Sequence, residues 1–293
     1  LFRSGEPWVN GASMNNQGVE FTVSFKSDPS SEFQWAVSAN IGTYKTELTD
    51  LPSNVINKYA GDGVHDLILG RSPNSAYGLV ADGIFKTQEE VDAHADQPGK
   101  AVGRIRYKDL DGDGVINETY DRTWIGCYDP DFFGGLNFDF AYKGFDLNLF
   151  FEGMFGNDVN SDWKKESDIW LFTNPAWKNH ATRMLGGWSP DNPNSDIPAI
   201  SNNTANQEQR FSSWFIEDGS YIKLRNIELG YTFPTKLIKK MHMSNLRLYA
   251  AAYNVFTLKK FWGDDKYTSF DPERPSYHYL TPFTFNFGIN VSF

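Results

Sequence analysis

Thr281-Pro-Phe-Thr-Phe-Asn-Phe-Gly-Ile-Asn-Val-Ser-Phe293 alternates without a break. Phe283, Phe285, Phe287, Ile289, Val291 and Phe293 fall on one side of an extended chain, and Thr284, Asn286, Gly288, Asn290 and Ser292 on the other. Side chains of a strand point to opposite faces in turn, so this is a strand between two different environments. The same period recurs upstream. Val19, Phe21, Val23 and Phe25 alternate with Glu20, Thr22 and Ser24; Phe33, Trp35, Val37, Ala39 and Ile41 alternate with Gln34, Ser38 and Asn40. Leu136, Phe138, Phe140 and Tyr142 enclose Asn137 and Asp139. Phe145, Leu147, Leu149, Phe151 and Phe155 are interleaved with Asp146, Asn148 and Glu152, with Phe150 as the exception.

Seven strands follow, over 18–26, 33–45, 132–142, 144–156, 219–233, 245–257 and 281–293, with one further hairpin arm in 49–130 left open. In the fifth, Leu224 and Ile227 cannot share a face unless the strand carries a bulge. Segments of about ten residues with one aromatic-rich face fit β-strands tilted across a bilayer, and mid-strand Asp139, Asp146, Asn148 and Glu152 suit a wet lumen. A soluble β-sandwich alternates as well. Loop lengths separate the two: 26–32, 142–144 and 234–244 are short, the last with Lys236, Lys239 and Lys240 on a helical turn, whereas 49–130, 157–218 and 258–280 are long. Short turns alternating with long excursions are the asymmetry of outer-membrane barrels, with the long loops outside the cell. Such loops are oversized for a barrel of seven or eight strands, and an open wall cannot stand with bare edges. The chain therefore reads as all-β, the C-terminal section of a larger barrel.

Composition agrees. Of 293 residues, 16 % are aromatic, which excludes wholesale disorder. No stretch approaches the roughly 18–20 apolar residues of a membrane-spanning helix. A net charge of −10 without a basic run argues against nucleic acid as a partner. Cys127, the single cysteine, has no partner for an internal disulfide or a zinc site. The sequence starts at Leu1 with neither an initiator Met nor a signal-like segment, which reads as a processed chain or a fragment.

Several segments resemble motifs of SusC/RagA-type TonB-dependent outer-membrane transporters. They are Asn10-Gly-Ala-Ser-Met-Asn-Asn-Gln-Gly-Val-Glu20, Tyr77-Gly-Leu-Val-Ala-Asp-Gly-Ile-Phe85, Arg106-Tyr-Lys-Asp-Leu-Asp-Gly-Asp-Gly-Val-Ile116 with Asp121-Arg122 and Ile125-Gly126, Tyr142-Lys-Gly-Phe-Asp-Leu147, Glu217-Asp-Gly-Ser-Tyr-Ile-Lys-Leu-Arg225 and Leu229-Gly-Tyr-Thr-Phe-Pro234. They run in order over essentially the whole chain. The resemblance implies a plugged barrel of about 22 strands, energised through the TonB complex, importing glycans or oligopeptides with a SusD-type lipoprotein at the cell outer membrane. It places the N-terminal plug and its TonB contact outside these residues. The last strand, ending in Phe293, is similar to the signal read by the barrel-assembly machinery.

Asp109-Leu-Asp-Gly-Asp-Gly-Val-Ile-Asn117 is the sharpest local motif. It resembles the first half of an EF-hand loop: Asp109, Asp111 and Asp113 as carboxylate ligands, Val115 through its carbonyl, and Asn117 directly or through water. Alternate carboxylates repel unless a cation neutralises them, so structural calcium is expected. Against it, Tyr120 stands where an EF-hand has Glu, Asp121 arrives one residue late, and a solvated Asp/Gly turn has the same composition. Between 157 and 218 lie Trp163, Trp170, Trp177, Trp188 and Trp214, which either stack on sugars or a partner or give a long loop its own core. No HExxH, GxSxG or P-loop is present, so no catalytic residue or catalytic cofactor is expected. Two other readings stay open: a secreted or surface carbohydrate-binding β-sandwich, and a small outer-membrane barrel with an adhesive or enzymatic role.

Overall fold

A computed structural model describes residues 11–52, 61, 66–169, 180–201, 205, 207–259, 268–275 and 279–293. It divides into two compact units, one of residues 18–44, 130–157 and 218–293, the other of residues 1–17, 45–129 and 158–217.

The first unit is built on a seven-stranded sheet. In chain order its strands are β1 (Ser13–Lys26) and β2 (Phe33–Asp50), then β7 (Phe132–Tyr142), β8 (Phe145–Phe155), β11 (Tyr221–Thr232), β12 (Asn245–Lys259) and β13 (Thr284–Ser292). They lie side by side in that order, so each is hydrogen-bonded to the one before and after it. From β2 onward every pairing is antiparallel. The expected strands are all there. Among the described residues of 49–130, where the sequence leaves one hairpin arm open, none beyond the end of β2 joins the sheet. Lys143 (φ 48°) and Gly144 (φ 88°) both take left-handed backbone between β7 and β8, a two-residue turn whose twist matches that of the strands it joins. The turn between β11 and β12 contains a short helix, Thr235–Ile238, continued by a 3-10 turn through Met241, as the lysine spacing anticipated.

Register aligns like with like. Val37, Phe138, Leu149 and Ile227 form one row across four strands, and Ala36, Asp139, Asn148 and Glu228 the next. The predicted bulge is present. Leu224 pairs with Phe151 but Asn226 pairs with Phe150, leaving Arg225 as the extra residue. On the other side Leu224 faces Phe256 and Asn226 faces Tyr253, with Asn254 at φ 54° in the gap. That insertion returns Ile227 to the apolar face beside Leu149.

The apolar face is uncovered. Val19, Phe21, Phe145, Leu229, Phe285 and Ile289 are between 50 % and 69 % exposed, and Phe287 is 80 % exposed. In a sandwich these positions would form the core; a continuous exposed apolar surface marks an interaction with something apolar.

The second unit carries a core of its own. Strands β3 (Ser75–Leu79) and β6 (Arg122–Cys127) pair, as do β4 (Ala81–Ile84) and β5 (Ile105–Tyr107) and, in a third two-stranded sheet, β9 (Asp158–Asn160) and β10 (Ile216–Asp218). Leu79, Ile84, Ile105, Tyr107, Ile116, Ile169 and Phe215 close a buried cluster, with Trp188 and Trp214 packed against it. Helix α1 (Gln88–Ala93) is capped by Thr87, whose hydroxyl accepts the Glu90 N–H. Buried Gln97 pairs its side-chain amide with the free edge groups of β5, donating to the Ile105 carbonyl at 2.8 Å and accepting the Tyr107 N–H at 3.0 Å.

The bulge gives a direct test. Deleting Arg225 removes the compensating residue and turns Tyr221–Leu224 over relative to Asn226–Thr232. This deletion is expected to lower the β-sheet circular-dichroism signal of the purified protein, whereas Arg225→Gln, which keeps the residue count, retains it.

Candidate functional site

The polar face of the sheet carries three hydrogen-bonded groups of side chains. Asn148 of β8 donates to Asn137 at 3.0 Å and to Asp139 at 2.8 Å, both on β7, while Asn137 donates to the other Asp139 oxygen at 2.5 Å. Asn226 of β11 donates to the Asn148 carbonyl oxygen at 3.0 Å. Asp146 accepts from Arg247 of β12, whose guanidinium also reaches Glu228 of β11 at 2.7 Å. Glu152 accepts from the bulge residue Arg225 at 2.6 Å. All four polar positions singled out on β7 and β8 thus share one face, Asp139 and Asn148 in one bonded group, Asp146 in a second and Glu152 in a third.

Small residues make room for it. Gly230 of β11 lies where a Cβ would collide with the Arg247 guanidinium, and that guanidinium sits 5.1 Å from the centroid of the Tyr249 ring. Tyr249 in turn leaves no space for a Cβ at Gly288 of β13, its cross-strand partner. An aromatic side chain laid over a glycine covers backbone that the glycine leaves bare. Sequence reasoning did not single out Lys223, Arg225 or Arg247. The phase of β12 carried the signal for Arg247, since it shares a face with Tyr249 and Ala251 and points away from Leu248 and Ala250.

In the second unit, the acidic loop forms a different grouping from the one its spacing suggested. One carboxylate oxygen from each of Asp109, Asp111 and Asp121 lies within 4.8 Å of the others, the only such group of His, Cys, Asp or Glu among the described residues. Asp113 turns back on the chain and accepts the Val115 N–H at 2.8 Å; the Asn117 side-chain oxygen accepts the N–H groups of Thr119 and Tyr120. The segment after Asn117 folds as a tight turn, which returns Asp121 to the loop despite its late position in sequence.

Backbone donors already hold two of these carboxylates. Asp109 accepts from Gly114 at 2.9 Å and from Gly112 at 2.7 Å, both glycines in left-handed backbone, and those bonds lower its pKa. Asp121, fully buried, accepts from Leu110 at 2.8 Å and Asn117 at 2.7 Å. Asp111 is different. The Asp113 N–H favours its charge, but desolvation and the adjacent Asp113 and Asp121 charges outweigh that bond and raise its pKa. Crowded carboxylates of this kind fit a hard cation with oxygen ligands.

Elsewhere in this unit Arg104 and Glu208 pair at 2.7 Å, each with a side chain 6 % exposed, and burial raises the Glu208 pKa despite the arginine. Burial likewise pushes Tyr107, under the Arg210 guanidinium, up to about 12. Trp188 and Trp214 serve the core, and the Lys164 ammonium lies 4.7 Å from the Trp214 ring centroid. Trp170 and Trp177 fall outside the described residues, as do His65 and His278.

No protein-family model matches the chain. TonB-dependent receptor P3 of Formosa agariphila is 30 % identical over 302 residues, and TonB-dependent receptor SusC of Bacteroides thetaiotaomicron is 26 % identical over 297. Each alignment covers 97 % of this chain but only 29 % and 27 % of those relatives, so the chain spans about three tenths of their length. A solved structure of the RagAB peptide transporter superposes with a TM-score of 0.72 at 23 % identity, over 97 % of this chain and 30 % of that one. These are names of receptors and a transporter, not of enzymes.

Asp121→Ala leaves the part-buried Leu110 and Asn117 N–H groups without their acceptor, at a cost of about 1–3 kcal/mol. Hydrogen exchange in the full-length protein will show both amides losing protection while the strand amides of β7 and β8 keep theirs. Across 97 % of its length the chain is similar to TonB-dependent receptors of the SusC/RagA type, and it has the fold of the C-terminal part of their barrel.

Proposed function

We propose that this chain is the C-terminal wall of a TonB-dependent outer-membrane importer, carrying glycans or oligopeptides inward together with a SusD-type surface lipoprotein. The observation that carries this reading is the contrast between the two faces of one sheet. Exposed aromatic and aliphatic side chains cover one side, and a ladder of charged and amide groups spans β7, β8, β11 and β12 on the other. Hydrocarbon accepts the first face, and a hydrated lumen the second. In a bilayer every backbone N–H and C=O must be satisfied by a neighbouring strand, so β1 and β13 call for further strands that close the wall.

The long connections that leave the sheet at the end opposite the short turns are the extracellular loops, about 49–130, 157–218 and 258–280. The names of the relatives support the transport reading: SusC is a TonB-dependent receptor, and RagAB is a peptide transporter. Energy comes from the TonB complex through a plug outside these residues. The lumen-lining groups are Asp139, Asp146, Asn148, Glu152, Glu228 and Arg247. Their chemistry is that of hydrogen-bond exchange with a hydrated polar oligomer, with no nucleophile or general acid required.

In this reading the acidic loop is a structural calcium site on the extracellular side. Asp109, Asp111 and Asp121 would supply carboxylate oxygens, and calcium, when bound, would supply the charge that the crowded Asp111 lacks. The Val115 carbonyl and Asn117 remain further candidates, and Asp113 stabilises its own turn instead.

Disrupting the gene in the source cell abolishes energy-dependent uptake of one class of glycan or peptide, and loss of TonB does the same. Uptake that persists without TonB would contradict the proposal. Calcium at about 100 times its dissociation constant would stabilise the loop by about 2.7 kcal/mol. The full-length protein is therefore expected to melt higher in calcium than in chelator, and the Asp109→Asn/Asp111→Asn variant to lose that difference.

A further inference from the structure

Between β12 and β13 the described segment 268–275 is tied to the polar face of the sheet by a set of ionic contacts that the barrel architecture does not require. Lys223 of β11 donates to Asp271 at 2.7 Å and also pairs with Glu273. Glu273 further accepts from the Tyr221 hydroxyl at 3.0 Å and from Arg225. Three donors from one strand thus meet on a single carboxylate. Lys259 of β12 donates to the backbone carbonyls of Ser269 and Phe270, the latter at 2.9 Å. The segment holds its own shape through Asp271, whose carboxylate accepts the Glu273 N–H at 3.1 Å and whose carbonyl accepts the Arg274 N–H at 3.0 Å.

Two features set this attachment apart from ordinary loop packing. Its hydrogen-bonded anchors are polar: Ser269 and Asp271 are buried, together with Pro272, while Phe270 is 56 % exposed. The cationic side of the contact is built into the wall by an irregularity. Arg225 is the bulge residue, and its guanidinium reaches Glu152 and Glu273. Bulges commonly re-aim a side chain in this way. Lys223 faces the same side, since its cross-strand partner is Glu152, and its side chain is only 3 % exposed.

We infer that residues 268–275 form an ionic strap, latched by Asp271 and Glu273 onto Lys223, Arg225 and Tyr221, that covers the polar face at the long-loop end of β11 and releases without unfolding the wall. The part of this inference that makes the covered surface the mouth of a lumen rests on the importer reading above. The strap occupies cationic groups that a carboxylate-bearing cargo would otherwise meet first, so the chain's own Glu273 stands in for such a cargo. The outer half of the latch makes the strap exchangeable: Glu273 is partly solvated, so another carboxylate can replace it on Arg225 and Lys223, and the buried Lys223 ammonium requires that some anion stay paired with it.

The test uses the full-length protein in detergent and the variant Asp271→Asn/Glu273→Gln, whose two changes lie outside the sheet. Heat-modifiable migration confirms that both proteins are folded. In the variant, the Glu273 and Arg274 amides exchange at least tenfold faster, and acylation of the Lys223 amine by a water-soluble reagent rises by a similar factor. Amides of β8 and β11 do not change. Molar acetate, whose carboxylate can replace Glu273 on its cations, moves the wild type in the same direction. Unchanged exchange and unchanged Lys223 reactivity would overturn the strap, as would loss of protection in β11 in step with 268–275, since the pairs would then belong to the wall. Because the readout needs neither cargo nor TonB, failure of the importer reading leaves this result standing and separately interpretable.

Discussion

Strand register is the constraint on which this structure depends. The side-chain period of a strand is two, so a slip of one residue would carry Phe138, Leu149 and Ile227 to the polar side and bring Asp139, Asn148 and Glu228 among the aromatics. Charged groups facing hydrocarbon cost several kcal/mol each near the bilayer centre, so such a slip has no stable outcome. At Arg225 the sequence itself is out of step, with Leu224 and Ile227 an odd number of residues apart, and the backbone absorbs the mismatch in a bulge. The same residue then serves the polar face, where its guanidinium joins Glu152 and Glu273. A correction of register and a cationic anchor are one feature.

Charge on the polar face is organised around pairs instead of being left to solvent. Arg247 bridges Asp146 and Glu228, and Lys223 and Arg225 take up Glu152, Asp271 and Glu273. The partly exposed pairs of Arg225 and Arg247 contribute little stability singly. Their larger effect is on position: each fixes a long side chain against the wall, and those of Arg247 keep its guanidinium over Gly230. Asp139 stands apart, held by the amides of Asn137 and Asn148 and by no cation within ion-pair distance.

Much of the wall was legible from alternation because hydrocarbon on one side and water on the other leave a mark at every position. Where that contrast ends, so does the signal. Strand β1 begins at Ser13 and β2 runs to Asp50, farther than alternation suggested, through Ser13-Met-Asn-Asn-Gln17 and Lys45-Thr-Glu-Leu-Thr-Asp50, where neither face has to be apolar. The two-stranded sheets at 75–84 and 105–127 escaped notice for another reason: three to six residues are too few to show a period, and their partners are distant in sequence. Asp121 was visible as an acidic residue near the Asp/Gly run, but spacing alone argued against it, since a turn that shortens the path between Asn117 and Asp121 is set by side-chain to backbone bonds.

The account stands or falls on which face meets lipid. Single cysteines at Leu147, Asn148, Leu149 and Glu152 of β8, introduced with Cys127 replaced by Ser and spin-labelled in the full-length protein in liposomes, report this directly through collision with oxygen, which partitions into hydrocarbon, and with a water-soluble nickel chelate. Labels at Leu147 and Leu149 are predicted to favour oxygen and those at Asn148 and Glu152 to favour nickel. Equal accessibility along β8, or the opposite alternation, would contradict a bilayer-spanning wall.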